Sequence, residues 1–287
     1  MRFKILEVLK LLRTYYKDWL LISFSYGIGS TPKKAILRNG PTINVDSEKK
    51  NYFLIGLARL LRSGWRVQNV DDTQILLSDQ NGVHFRCRTN RESDVGDLFT
   101  IFESKFYGED FVNKTVLDVG MYNADSSIYF ALKGAKLVIG LEPFSESYDL
   151  ANQNIKINNL EEKIIPLQLG LSSTEGLADL DMRSNNPLGY SLQTPSSASK
   201  TEIETITIES LMKQFGLQRI DVLKMNCEGC EYDVIYHLSS ETLSRIDNFL
   251  IQYHDGALGL LDYLSKSGFS VQDKNPNHQH GILFAHK

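Results

Sequence analysis

Three groups of residues in this chain have the types and spacing to do chemistry, and each stands where a short apolar run gives way to a loop. The first is Asp118-Val119-Gly120-Met121-Tyr122-Asn123-Ala124-Asp125, at the end of the run TVLDVG. A glycine there lets the backbone come close to a ligand, and Asp118 can accept hydrogen bonds from an ammonium group or position the loop. A pyrophosphate-binding fingerprint needs three glycines at G-x-G-x-x-G, and this loop has one, which disfavours a dinucleotide. The second group is Leu141-Glu142-Pro143-Phe144. An acidic residue about 20 positions beyond the first turn is suited to gripping the two hydroxyls of a ribose, and Phe144 offers an aromatic face for a base or for ordinary packing. The third runs from Ile220 to Tyr232 and carries Lys224, Asn226, Glu228 and Glu231; one strand further on stands His254.

The elements that must position these residues follow from periodicity. From Thr115, short apolar runs alternate with helical segments, the signature of a mostly parallel sheet with crossover helices. TVLDVG, KLVIGLEP, KIIPLQLGL, IDVLKMN and NFLIQYH read as strands, and FSVQD and GILFAHK as an antiparallel hairpin that finishes the sheet. Residues 172 to 200, rich in Ser, Asn, Pro and Gly, read as hairpin and loop material at the rim of the site and as the most mobile part of the chain. Residues 1–110 read as a separate extension. It has a helix to about residue 25, a second helix in YFLIGLARLLRSG, and the antiparallel segments WRVQNV, TQILLSD and VHFRCRT, with a hairpin turn at residues 79 to 82. The domain division is therefore 1–110 and 111–287.

Taken together, V-L-D-V-G, L-E-P, the asparagine-rich N-Q-N-I-K-I-N-N helix end and D-V-L-K-x-N-x-E-G-x-E-Y resemble the FkbM-type methyltransferases. The resemblance covers roughly residues 90 to 255, including R-C-R-T-N-R-E-S-D, and K-x-x-x-E-G-x-E is its most specific part. It implies an α/β, Rossmann-like class I methyltransferase sheet that binds S-adenosylmethionine and acts on a hydroxyl of a sugar, glycan or lipid-type acceptor. By position, Asp118, Gly120, Asn123 and Asp125 belong to the cofactor loop, Glu142 holds the ribose beside Phe144, and Lys224, Asn226, Glu228 and Glu231 face the reaction side. Two positions depart from the family pattern: Ala124 where glycine is usual, and Asn226 where aspartate is usual. Asparagine removes a charge and any role as base or metal ligand. These departures sustain a rival reading, a degenerate fold that holds a nucleoside or glycan without turnover. A nicotinamide-dependent oxidoreductase ranks third because of the glycine-poor first turn.

An oxygen nucleophile must lose its proton, and Glu228 and His254 are the candidate general bases. Cys227 and Cys230 also form a C-x-x-C, which elsewhere makes redox pairs or half of a zinc site. Its place inside the E-G motif favours coincidence, and His254, His278 and His280 complete no standard ligand spacing. No metal is expected. A net charge of −4 gives no broad positive field, so nucleic acid is not an expected partner. Three cysteines suit a reducing compartment better than a disulfide scaffold, and the expected location is cytoplasmic. The N-terminal charges leave the uncharged run from Trp19 too short to span a bilayer, and there is no signal-type cleavage site. Phe3, Leu6, Leu9 and Leu12 form a stripe that packs on the body, the more ordinary outcome, or lies on a membrane through residues 1–25.

Overall fold

The structure, a computed structural model, describes residues 5–45, 51–181, 200–257, 259–275 and 278–287. Its internal contacts divide the chain into two units: Met1–Gly108 with Lys156–Asn158, and Glu109–Ile155 with Asn159–Lys287.

The first unit opens with α1 (Ile5–Tyr15) and α2 (Trp19–Gly27). The single helix expected to about residue 25 is broken because Tyr15–Lys17 are drawn into backbone pairing. Tyr16 bridges Leu37, Lys17 N–H donates to the Ile36 carbonyl, and Arg38 N–H donates to that of Tyr15. The Tyr16 ring is fully buried and its hydroxyl donates to the Leu54 carbonyl. The expected stripe divides accordingly: Leu12 is buried and Leu6 exposed, while Phe3 lies outside the described residues. On α2, Leu20, Leu21 and Phe24 are exposed. No helix among the described residues is long and apolar enough to cross a membrane.

Strands β1 (Lys34–Ile36) and β2 (Thr42–Asn44) form a small hairpin. Helix α3 (Phe53–Arg62) follows, burying Phe53, Leu54, Leu57, Ala58 and Leu60 at helical spacing. Then β3 (Arg66–Val70), β4 (Gln74–Ser78) and β5 (His84–Arg88) make an antiparallel sheet in the order of the chain. The turn at residues 79 to 82 is held by the Asp79 carboxylate, which accepts from Asn81 and Val83 N–H. Next come α4 (Glu92–Leu98) and the π-helical turn Phe99–Glu103 behind it, neither of them expected from the sequence. A Cβ on Gly56 of α3 would sit 2.7 Å from the Val95 side chain of α4, so a glycine is needed for the two helices to approach.

The second unit is built on a seven-stranded sheet, counted among the described residues. In chain order its elements are β6 (Thr115–Val119), α5 (Asp125–Leu132), β7 (Leu137–Leu141), α6 (Ser145–Ile157) and β8 (Ile164–Leu167). The run read as one strand over KIIPLQLGL splits here, because β9 (Gly170–Leu171) leaves the main sheet. It joins the hairpin of β10 (Gly176–Asp181) and β11 (Lys200–Ile206). That hairpin covers part of the loop expected over 172 to 200; residues 182–199 lie outside the described residues. There follow α7 (Ile208–Gln214), capped by Thr207, then β12 (Val222–Met225), α8 (Cys230–His237), α9 (Ser240–Ser244), β13 (Asn248–Tyr253), α10 (Leu260–Lys266), β14 (Ser270–Asp273) and β15 (Gly281–His286).

The sheet order is β14-β15-β13-β12-β6-β7-β8, parallel from β13 to β8 and antiparallel where β15 and β14 close the other edge. This is the expected α/β sheet with its antiparallel C-terminal hairpin. All residues of β6 and β12 are buried, as befits central parallel strands covered on both faces. The chain winds from β6 outward through β7 and β8, then returns to β12 and winds the other way. The reversal falls between β6 and β12, and in open α/β sheets the carboxyl ends of strands at such a switch point form the ligand crevice.

In the first unit, Arg88 and Asp94 are a buried pair, with Nε and Nη2 of Arg88 each donating at 3.0 Å to the carboxylate. Asp94→Ala removes the carboxylate paired with that buried guanidinium and is expected to cost about 3–5 kcal/mol in urea unfolding. An Arg88→Met/Asp94→Leu double variant is expected to recover most of the loss; a double variant no more stable than the single would contradict this account.

Candidate functional site

The loop after β6 is held from beneath by Lys224 of β12, which is in register with Asp118 on the neighbouring strand. The Lys224 ammonium lies 2.8 Å from Asp118 Oδ1, donates at 2.8 Å to the Gly120 carbonyl, and lies 3.4 Å from that of Val119. Asp118 Oδ2 accepts from the Ser126 and Ser127 hydroxyls at 2.7 and 2.6 Å, tying the strand end to the first turn of α5. Gly120 has φ +72°, and a Cβ on it would sit 2.0 Å from the Asn226 carbonyl oxygen. No other residue fits that contact between the β6 and β12 loops. Asn123 is fully buried: its Oδ1 accepts from Asp125 N–H, its carbonyl accepts from Asn154 Nδ2, and its own Nδ2 has no partner among the described residues.

Ala124 sits at φ +68°, in the left-handed region. This explains why a glycine would suit the position, and it bounds the cost of alanine. The left-handed penalty of about 1–2 kcal/mol is largely offset by a buried methyl worth about 0.8 and by the lower chain entropy of alanine, about 0.5–1. The departure is tolerable.

Glu142, at the end of β7, is buried and points its carboxylate back at this loop. Oε2 accepts from Tyr122 N–H at 3.0 Å and Oε1 from Phe144 N–H at 2.9 Å. These two backbone donors fix the carboxylate against the loop. Phe144 is half-buried beside it.

After β12 the chain makes a turn in which Glu228 has φ +55° and Gly229 φ +120°, and α8 begins at Cys230. His254, just past the end of β13, is brought between two carboxylates. Its Nε2 lies 3.1 Å from Glu228 Oε1 and its Nδ1 lies 3.3 Å from Glu231 Oε1. Glu231 is fully buried and fixed by Gly229 N–H at 2.9 Å, whereas the Glu228 and His254 side chains keep 26% and 21% of their surface and so remain reachable by a substrate. Glu231 thereby holds the proton of a neutral imidazole on Nδ1 and turns Nε2 toward Glu228. Burial pushes the Glu228 carboxyl up to about 7, with His254 opposing the rise and Glu231 and Asp255 adding to it. Burial pulls His254 down, but its hydrogen bond to Glu231 and the charges of Glu228, Glu231 and Asp255 outweigh that and leave it above its ordinary value. Each of the two groups therefore holds a proton more tightly than it would in the unfolded chain.

Of the residues singled out in the sequence, Asp118, Gly120, Asn123, Asp125 and Glu142 meet at the carboxyl edge of β6 and β7, and Glu228 and His254 meet beside β12 and β13. Lys224, expected on the reaction side, is instead buried beneath the loop with its ammonium engaged by Asp118, Val119 and Gly120. Its place is that of a positioning residue. Asn226 presents a buried Oδ1 with no partner among the described residues, an acceptor available to a ligand's N–H or O–H. The C-x-x-C taken as coincidence is a disulfide between Cys227 and Cys230. Ser126 and Ser127, which anchor the loop, carry no motif signal, while Asn154 and Tyr232 lie inside quoted motifs that gave them no role: Asn154 Nδ2 donates to the Asn123 carbonyl, and the Tyr232 hydroxyl donates to the Gly256 carbonyl and accepts from Asp255 N–H.

Lys224→Met leaves Asp118 buried without a counter-charge and is expected to lower stability by about 3–5 kcal/mol in urea unfolding. Loss below 1 kcal/mol would contradict the placement. Because the folded pKa values of Glu228 and His254 are both raised, the native state holds more protons than the unfolded chain. Their contribution to stability is complete below about pH 4.5 and is lost as pH rises through 7 and beyond. Glu228→Gln is expected to flatten the decline between pH 5 and 8 by about 1–3 kcal/mol, read from denaturation midpoints; an unchanged slope would refute the assignment.

Residues 118–271, more than half of the chain, match the family described as Methyltransferase FkbM domain. A curated relative, the methyltransferase sdnD of Sordaria araneosa, is 24% identical over 172 residues, covering 49% of this chain and 66% of the relative. The chain thus spans just under two thirds of that relative's length. Similar solved structures include a SAM-dependent methyltransferase from Agrobacterium tumefaciens, at 12% identity, TM-score 0.45, and coverage of 76% of this chain and 71% of that one. Another is M. capricolum TrmK, solved with S-adenosylhomocysteine, at 12% identity, TM-score 0.40, and coverage of 61% and 64%. On the match that spans Asp118 to Val271, and with its motif residues gathered at one edge of the sheet, the chain belongs to the FkbM methyltransferase family.

Proposed function

We propose that this chain binds S-adenosylmethionine at the carboxyl edge of β6 and β7 and methylates a hydroxyl of a sugar, glycan or lipid-type acceptor. The observation that carries the reading is the His254–Glu228 pair, a tuned proton acceptor beside the same carboxyl edge that bears Gly120 and Glu142.

The residues suit the cofactor. Glu142 sets a carboxylate at the end of β7, Gly120 keeps its loop free of a Cβ, and Asn123 Nδ2 and Asn226 Oδ1 are a buried donor and acceptor with no partner among the described residues. When bound, S-adenosylmethionine supplies an electrophilic methyl group on a sulfonium, so the protein needs only to align the nucleophile and take its proton. His254 Nε2, with Nδ1 held by Glu231, accepts the proton of the acceptor hydroxyl, and Glu228 shares the resulting charge. A sugar hydroxyl has a far higher pKa than either group. The base therefore acts as bond formation proceeds and does not need to generate a free alkoxide beforehand.

Calorimetric titration with S-adenosylhomocysteine and a methyl-transfer assay on hydroxylated acceptors test the reading together. Glu142→Ala is expected to weaken binding by about 10- to 100-fold, or about 1–3 kcal/mol. His254→Asn is expected to lower the transfer rate by about 10²–10⁴ while leaving binding within about threefold. Binding without any transfer across the acceptors would favour a degenerate fold that holds the nucleoside, and no binding by folded protein would overturn the proposal.

A further inference from the structure

We propose that the Cys227–Cys230 disulfide is a reversible thiol–disulfide switch that sets the state of the His254 base, an inference that rests on the methyltransferase reading of this site. The bond closes the four-residue turn that carries Glu228, and that residue holds a left-handed backbone that a non-glycine residue rarely keeps without support. The same turn abuts the cofactor loop, since a Cβ on Gly120 would sit 3.6 Å from Cys227 Cα.

The link to the base runs through Glu231. Its Oε2 accepts from Gly229 N–H and lies 3.3 Å from Cys227 Sγ, while its Oε1 faces His254 Nδ1. A disulfide sulfur carries no proton, so in the oxidised form this contact lacks a hydrogen bond. A Cys227 thiol at the same place would donate to Glu231 and draw the carboxylate's charge away from His254. Reduction therefore does two things at once: it adds a donor to the residue that orients the base, and it releases the turn that positions Glu228. The oxidised form is the assembled, competent one.

The pair is arranged for exchange. Cys227 is half-buried, so its sulfur is the one that an external thiolate reaches, while Cys230 is buried at the first position of the eight-residue helix α8, where the helix dipole stabilises a leaving thiolate. A dithiol reductant of the thioredoxin class attacks Cys227 Sγ, the S–S bond breaks, and Cys230 leaves as a thiolate that takes a proton. The reductant's second thiol then attacks the mixed disulfide and releases Cys227. Two electrons and two protons pass to the pair, and the reductant becomes a disulfide. Cys87 is the other cysteine of the chain; it is buried, with its sulfur 3.7 Å from the Asp94 carbonyl.

The test compares the full chain oxidised and reduced, in the presence of a chelator, with differential alkylation and mass spectrometry reporting the state of Cys227 and Cys230. His254 is followed by NMR titration of its ring proton. The groups facing it are Glu228, Glu231, Asp255 and, edge-on with ring centroids 5.9 Å apart, His280. Reduction is expected to lower the His254 midpoint by about one pH unit, a tenfold fall in proton affinity. It is also expected to cut methyl transfer by at least about tenfold, with S-adenosylhomocysteine affinity within about threefold and full recovery on reoxidation. A Cys227→Ser/Cys230→Ser variant is expected to keep the reduced-form midpoint under both conditions. The same His254 midpoint in both states of the wild type, or thiols that never pair in an oxidising glutathione buffer, would overturn the switch. A midpoint that moves while S-adenosylhomocysteine binds in neither state would uphold the switch and overturn the methyltransferase reading instead.

Discussion

The second unit is organised around one buried ion pair, Lys224 with Asp118, on adjacent central strands. Burying either charge alone costs several kcal/mol, and the attraction across 2.8 Å roughly offsets the cost for the pair without leaving a large surplus. Its value is positional. The lysine's remaining hydrogen bond to the Gly120 carbonyl and the aspartate's bonds to Ser126 and Ser127 fix the exit of β6 and the entry of α5 at once. With both ends fixed, the loop can present Asn123 and the left-handed Tyr122 and Ala124 without local repeating structure to hold them.

The strand order then brings two chemistries to one edge. Because winding reverses between β6 and β12, the loop after β6, the Glu142 carboxylate after β7, the Asn226–Glu231 turn after β12 and His254 after β13 all leave the sheet on the same side. The ends of β6 and β7 carry Gly120 and Glu142, and the ends of β12 and β13 bring Glu228 and His254 together. Glu231 connects the second pair to the helix that follows: its full burial and its Gly229 bond keep the imidazole in one orientation while Glu228 stays in reach of solvent.

Much of this was legible in the sequence, for identifiable reasons. Parallel strands covered on both faces must be continuous apolar runs, so TVLDV and VLKM declared themselves, and polar residues at the ends of such runs were the natural candidates for a site. What was not legible depends on contacts between distant positions. Lys224 lies within a strand run, and only the register with Asp118 shows that it holds a loop. His254 and Glu231 are 23 residues apart, and nothing in either segment announces their meeting. The break between α1 and α2 comes from pairing with Leu37, which overrides an unbroken helical pattern. The departure of β9 from the main sheet and the short helix α9 have no distinct periodic signature in runs so short.

The central claim is that the β6 and β7 loops form the cofactor seat, and backbone hydrogen exchange with and without S-adenosylhomocysteine tests it most directly. The account predicts ligand-dependent protection concentrated in residues 120–125 and 142–147, where Tyr122 and Phe144 N–H already bond to Glu142, with lesser protection at 226–229. Protection confined to other segments, or none at saturating ligand, would contradict it.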